Sequence, residues 1–233
     1  MAVAYNSKIV TDGLVLCLDT GNLKCYPGIG TNTFDLSLTK LNGVLTNGAS
    51  YSSSEGGKIV FDGTNDYINF GNSYTNLDLS NKSFQAWIKK LGSSQKGIID
   101  KEFDTGGENY GGWGFWTQSN NKLWWWSQGF KDLKDDGPLS ITLGSWTNVA
   151  VTYDITTKTA SFYINGILNS QKTDVTIVDK SSGSANLVIG ALRSGLTNFY
   201  FDGDISIVSA YNRVLSSQEI QQNFNATKGR YGL

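Results

Sequence analysis

Seven Asn-Gly or Asp-Gly pairs interrupt this chain, at Asp12-Gly13, Asn42-Gly43, Asn47-Gly48, Asp62-Gly63, Asp136-Gly137, Asn165-Gly166 and Asp202-Gly203. These residues tolerate the positive φ that tight turns between twisted antiparallel strands demand. Most of the pairs flank short runs of Val, Ile, Leu, Phe, Tyr or Trp. That punctuation predicts an all-β chain, folded as a two-sheet antiparallel sandwich. All-β sandwiches reach 233 residues as single domains, so residues 1–233 are read as one domain with its core over 13–222.

The local patterns fill in the elements. Residues 13–19 form an apolar strand that ends at Asp19. Residues 20–57, rich in Gly, Ser, Thr and Asn, read as a long surface excursion. Lys58 to Phe61 and Tyr67 to Phe70 are strands joined by the turn D-G-T-N-D. In Ser83 to Lys90, Phe84, Ala86 and Ile88 share one face, and Gln85, Trp87 and Lys89 the other. Gly97 to Lys101 is a short strand, and 102–112 reads as a Gly-rich acidic loop. Trp113 to Thr117 and Lys122 to Ser127 make a hairpin closed by Ser119-Asn120-Asn121. A charged loop follows over 128–144. Trp146 to Tyr153 alternates, and Ala160 to Leu168 is a hairpin closed by Asn165-Gly166. Leu187 to Ala191 and Phe199 to Tyr211 supply the last strands. Residues 216–226 are the one expected helix, opened by the capping box Ser216-x-x-Glu219, with Ile220 and Phe224 on the docking face.

Composition excludes several functions. The 19 basic and 20 acidic residues leave a net charge of −1, so there is no basic footprint for nucleic acid and no polybasic membrane anchor. No apolar run approaches the roughly 18 residues of a membrane span. Residues 1–7 lack the basic and apolar regions of a signal peptide. The chain has no histidine, which removes the usual general base, the Ser-His and Cys-His pairs and imidazole zinc sites. Cys17 and Cys25 are too few for a four-ligand zinc site. They could close one disulfide, but a single pair makes no disulfide scaffold, and reduced thiols are expected.

Five segments together carry a family resemblance: F-D-G-T-N-D-Y-I (61–68), F-Q-A-W-I-K (84–89), W-T-N-V-A-V-T-Y-D (146–154), F-Y-I-N-G (162–166) and F-D-G-D-I-S…Y-N-R-V-L-S-S-Q-E-I (201–220). In this order they resemble laminin-G-like jelly-roll domains of the concanavalin A-like lectin/glucanase superfamily. The resemblance implies a jelly-roll sandwich with one short C-terminal helix, with Trp87 and Trp146 at core positions. It also implies glycan or protein binding and often one structural calcium ion. The segments K-I-V-T-D-G-L-V-L-C-L-D-T-G-N and Q-N-F-N-A-T-K-G-R-Y-G-L further resemble single-domain structural proteins of tailed bacteriophages.

Three groups of residues are candidate sites. Asp62, Asn65 and Asp66 crowd oxygen donors into one turn, as calcium requires, and Asp204 lies close to where the family pattern places a further acid. Ser206, where that pattern often has Asp, departs from it. The cluster Asp132, Asp135, Asp136 reads instead as a solvated loop. Trp113, Trp116, Trp124, Trp125 and Trp126 form an aromatic group whose members on one strand point to both faces, so at least one is expected to be partly exposed. With Asn109 nearby, they are the expected ligand surface, against the alternative of core packing. For catalysis, superfamily glucanases carry acids at alternate strand positions. The nearest match, Glu102-Phe103-Asp104, lacks a third acid ahead of it and is read as loop. No catalytic residue is therefore assigned. The chain is expected to be a non-enzymatic carbohydrate-binding or adhesion module, as a virion fibre, decoration or appendage protein. The alternatives are an architectural virion subunit, contacting other subunits or copies of itself, and a glycoside hydrolase or lyase.

Overall fold

A computed structural model describes residues 8–104, 110–127, 131–192 and 199–233. The strands begin with β1 (Leu14–Asp19), β2 (Asn32–Thr33), β3 (Gly43–Thr46) and β4 (Ser50–Ser52). Next come β5 (Lys58–Asp62), β6 (Tyr67–Asn69), β7 (Lys82–Lys90) and β8 (Lys96–Asp104). A meander of β9 (Tyr110–Thr117), β10 (Leu123–Ser127) and β11 (Lys131–Lys134) follows β8. A second meander holds β12 (Thr147–Asp154), β13 (Thr159–Ile164) and β14 (Ile167–Thr173). The chain closes with β15 (Val188–Ile189), β16 (Asp202–Tyr211) and the helix α1 (Ser217–Thr227).

The strands form two antiparallel sheets. The first has the order β14-β13-β12-β7-β16-β5-β4, with β1 also on β16, and the second β11-β10-β9-β8-β15-β6-β3-β2. This is the jelly-roll sandwich with one short C-terminal helix. The long strand β16 sits inside the first sheet. One edge pairs with β7; the other is shared, β5 taking Asp202 to Ile205 and β1 taking Ile207 to Tyr211.

Alternation along the strands builds the core between the sheets. Phe84 and Ile88 of β7, Val149 and Val151 of β12 and Ile205 of β16 face Ile99, Phe115 and Ile189 of the other sheet, all buried in one cluster. The residues between them point outward on the first sheet, and the chain's end covers them. Trp87 lies there, stacked on Tyr231 at 4.0 Å and on Phe224 at 5.7 Å. It is buried beneath the helix rather than between the sheets. Trp146 is half-buried and meets the same Tyr231 at 4.8 Å.

The turn chemistry is more varied than the sequence suggests. Asn165-Gly166 is the expected two-residue hairpin turn, with φ of 50° and 76°, between β13 and β14. Asp202-Gly203 instead lies inside β16. The Asp62-Gly63 turn does not close a hairpin either. It carries the chain from β5 in the first sheet to β6 in the second. Within the charged segment expected as loop, Lys131–Lys134 forms the edge strand β11.

Helix α1 starts as its sequence dictates. The Ser216 hydroxyl accepts the Glu219 amide at 3.2 Å, and Glu219 accepts the Ser216 amide at 2.9 Å. Arg213 also donates twice to Glu219, at 3.0 and 2.6 Å. That pairing, led by the Arg213 hydrogen bonds, draws the Glu219 carboxyl down to about 2. Ile220 is fully buried against Ala150, Tyr163, Tyr211 and Leu215. Losing the cap by Ser216→Ala should lower unfolding free energy by about 0.5–2 kcal/mol. Urea titration checks this, and a loss below about 0.3 kcal/mol would mean that the helix start is uncoupled from the fold.

Candidate functional site

The five tryptophans divide between two environments, because successive residues of a strand face opposite ways. Trp113 and Trp125 point between the sheets. Phe84 from the first sheet stacks on Trp113 at 4.6 Å and on Trp125 at 5.8 Å, and Tyr153 meets Trp125 at 5.1 Å. These two tryptophans are core, as is Phe115 beside them. The expectation that all five share a recognition surface is corrected on this point: burial between the sheets removes Trp113 and Trp125 from it.

Trp116, Trp124 and Trp126 occupy the outer face of the second sheet. Trp124 lies opposite Trp116 on one side and Lys134 on the other; Trp126 lies opposite Gly114 and Asp132. The Trp116 and Trp126 rings stack at 6.0 Å, and Trp116 meets Trp124 edge-on at 4.8 Å. Leu192 and Phe199 pack against this group, which leaves Trp116 and Trp126 buried and Trp124 half-buried. Trp124 Nε1 donates to Asp132 Oδ1 at 3.0 Å, and the Lys134 ammonium stands 4.7 Å from its ring centre. Asn109 lies outside the described residues.

Glycine shapes this face. A Cβ on Gly114 would fall 2.3 Å from Trp116 Nε1 and 2.4 Å from Asp100 Oδ2. Without one, the Trp116 indole lies flat on the strand and donates to Asp100 at 2.9 Å. Asp100 and Glu102, two apart on β8, are both buried. The loop expected over 102–112 is corrected here: β8 runs on to Asp104 and β9 begins at Tyr110, so Glu102 is a strand residue. The acid alternation extends backward to Asp100 rather than forward to Gly106, a direction hidden by the glycines that follow. Asp100 is already engaged: one oxygen takes the indole and the other takes the Glu102 amide at 3.1 Å.

The oxygen-rich turn splits. Asp66 is buried; its Oδ2 accepts the Asp62 amide at 3.0 Å, while Oδ1 is enclosed without a hydrogen-bond partner. Burial, and then the nearby Asp62 carboxylate, raise the Asp66 pKa. Asp62 turns its Oδ1 to the Thr64 amide at 2.7 Å, and the Asn65 carbonyl accepts Asn47 Nδ2 at 3.1 Å. Asp204 does not join them. It lies opposite Val60 and pairs with Lys58 at 2.7 Å, which corrects its place in the expected metal set. Among the described residues, no three acids, cysteines or histidines converge as a ready-made metal centre. The enclosed Asp66 oxygen, the adjacent Asp62 and the Asn65 carbonyl are the part that fits a calcium ion.

Of the three acids read as a solvated loop, Asp132 and Asp136 are exposed, and the reading is corrected for Asp135 alone. Asp135 is buried, accepting Ser170 Oγ at 2.5 Å, the Gly137 amide at 3.0 Å and Asn169 Nδ2 at 2.7 Å. This ties the segment after β11 to β14. Cys17 and Cys25 are free, buried thiols. Burial first, and then Asp19, pushes the Cys17 pKa up to about 12.

Taken together, these features define a jelly-roll domain with a partly roofed aromatic face. Residues 62–221 match the family described as the concanavalin A-like lectin/glucanases superfamily, of laminin G type, and the chain belongs to it. Among curated proteins, none matches the sequence. Among solved structures it is similar to domain 4 of AbnA, a GH43 extracellular arabinanase from Geobacillus stearothermophilus, in complex with arabinotriose. That match has 18% identity and a TM-score of 0.66, over 90% of this chain and 97% of that one. It is also similar to the Trypanosoma rangeli sialidase in complex with 2,3-difluorosialic acid, at 18% identity and TM-score 0.66, over 94% of this chain but 33% of that one. A third similar structure is the botulinum neurotoxin serotype D binding domain, at 16% identity and TM-score 0.66, over 92% of this chain and 52% of that one. The chain thus spans about a third of the sialidase and half of the toxin domain. Identities this low speak to the fold, and function rests on the site.

The split of the tryptophans has a measurable consequence. Trp125→Ala should cost about 3–5 kcal/mol, as the loss of a large buried aromatic does. Trp124→Ala, at a half-buried site and losing an edge-on aromatic contact, one hydrogen bond to Asp132 and the Lys134 contact, should cost less than Trp125→Ala. Urea unfolding of the two variants checks the order, and equal losses would place Trp124 in the core.

Proposed function

We propose that this chain is a non-catalytic carbohydrate-binding module. The observation that carries the reading is Trp124. It is a half-buried indole on the outer sheet face, with a carboxylate on its N–H and an ammonium over its ring, in a fold that matches an arabinotriose-bound domain over nearly its whole length. A flat aromatic offers an apolar platform for a sugar ring, and the charged groups offer partners for hydroxyls. The absence of chemistry is supported by Asp100, whose two oxygens serve an indole and a backbone amide. Glycan-array binding by the full chain tests the reading. Trp124→Ala should lose most of the signal while remaining folded, and no signal from the wild type on any glycan would overturn it. Release of reducing ends from any glycan, abolished by Glu102→Gln, would overturn the non-catalytic part.

The setting proposed for the module is a phage virion, on the strength of the sequence resemblance of residues 8–22 and 222–233. Mass spectrometry of purified particles tests it, and the chain's absence from them would exclude it. A second reading, an architectural subunit, is favoured by the apolar tips of the surface excursion. Leu23, Ile29 and Leu38 are 73%, 79% and 95% exposed. Light scattering separates the two, since a subunit that assembles through these residues should lose its oligomer on Leu38→Ser.

Calcium at the turn over 62–66 is part of the same proposal. Asp66, Asp62 and the Asn65 carbonyl would hold the ion, which would neutralise two neighbouring carboxylates and occupy the enclosed Asp66 oxygen. An ion bound only by the native state raises its stability. The wild type should therefore melt higher in calcium than in excess chelator, and Asp66→Asn should abolish the difference. Identical wild-type melts in both conditions would eliminate the ion.

A further inference from the structure

Two sheet edges meet at β11 and β14, and the half-buried Trp124 indole stands beside them. β11, the edge of the second sheet, and β14, the edge of the first, flank a cleft of about 360 Å³. Asp132 and Lys134 line one wall, and Lys172, Thr173 and Asp174 the other. The first wall is continuous with Trp124, because Asp132 accepts its indole N–H and Lys134 lies over its ring. Next to the cleft the two strands are tied: Asp135, just beyond β11, is buried and hydrogen-bonded to Asn169 and Ser170 of β14. The cleft is open to solvent, as a site for one sugar unit of a longer glycan can be.

The charges of the cleft say what it suits. Lys134 pairs with Asp132 at 3.2 Å, and Lys172 pairs with Asp136 at 2.5 Å. Each ammonium is already offset by a carboxylate, so the walls hold no surplus positive field for an acid. An anionic ligand would lose hydration without a net charge to replace it. A sugar hydroxyl both donates and accepts, and here carboxylates, ammoniums and the Thr173 hydroxyl stand within one cleft beside an apolar ring. We infer that the β11–β14 cleft, with Trp124 at its margin behind Asp132 and Lys134, is a subsite for a neutral sugar unit. It is not a subsite for sialic acid or a uronate. This inference rests on the carbohydrate-binding reading and adds to it both a location and a ligand class.

The test uses the full chain and calorimetry against a panel of neutral oligosaccharides including arabinotriose, with sialyllactose as the acidic probe. The neutral ligand that binds best should lose about tenfold or more in affinity on Trp124→Ala, the scale of an anchor truncation. It should weaken severalfold on Lys172→Ala and keep most of its affinity on Trp124→Phe. Binding should change by less than about twofold between roughly 50 and 500 mM salt, because no net charge is neutralised. Neutral-sugar binding that survives both Trp124→Ala and Lys172→Ala would overturn the location and leave the carbohydrate-binding reading intact. Preference for sialyllactose, lost at high salt, would overturn the ligand class. If Trp124→Ala fails to fold, Lys172→Ala and Trp124→Phe decide the location by themselves. Absence of wild-type binding to every probe would defeat the broader reading along with this one.

Discussion

The contact on which the site depends is the stack that Phe84 of one sheet makes with Trp113 and Trp125 of the other, at 4.6 and 5.8 Å. It fixes the register of β9 and β10. A strand slipped by one residue would exchange its two faces, moving Trp125 outward and Trp124 and Trp126 into the core. Stacked aromatics between the sheets, together with the large apolar area they bury, make that exchange costly. The indole on the outer face is therefore placed by contacts on the inner one. Outer face and core are two sides of the same three consecutive tryptophans.

The two outer faces of the sandwich are treated differently. On the first sheet, α1 and the residues after it cover Trp87, and the Trp87 indole donates to Thr227 Oγ1 at 2.8 Å. Gln85 Nε2 donates to Asn148 Oδ1 at 2.7 Å and to the Ile220 carbonyl at 3.2 Å, while Gln85 Oε1 is enclosed there without a hydrogen-bond partner. On the second sheet, the cover over the tryptophans is partial. Leu192 and Phe199 pack on Trp116 and Trp126 and stop short of burying Trp124. Trp87 is closed over by the chain's own helix, whereas Trp124 on the other sheet stays within reach of solvent.

Features governed by neighbouring residues were legible in the sequence. The Asn165-Gly166 hairpin, the Ser216–Glu219 cap and the inward set of Phe84, Ala86 and Ile88 follow from turn φ, capping chemistry and period-two alternation. What was not legible depends on partners distant in the chain. Nothing local to Asp62-Gly63 distinguishes a hairpin turn from a passage between sheets. Asp204 reads as a free acid until Lys58, 146 residues away, is placed beside it. Asp135 reads as solvated until β14 folds against it. The strand character of Glu102 was masked by the glycines after it. The division of the tryptophans between core and face was visible as parity, but which parity faced inward required the second sheet.

The position of β16 also bears on the order of events as the chain is made. Residues 202–211 fill the gap between β7 on one side and β5 and β1 on the other. Until they leave the ribosome, the first sheet exists only as three pieces, β14-β13-β12-β7, β5-β4 and β1, with bare edges. Pairings this distant in sequence form slowly, and open strand edges are templates for wrong partners. The nascent chain thus carries bare inner edges until residues 202–211 are made, and this one strand joins the pieces.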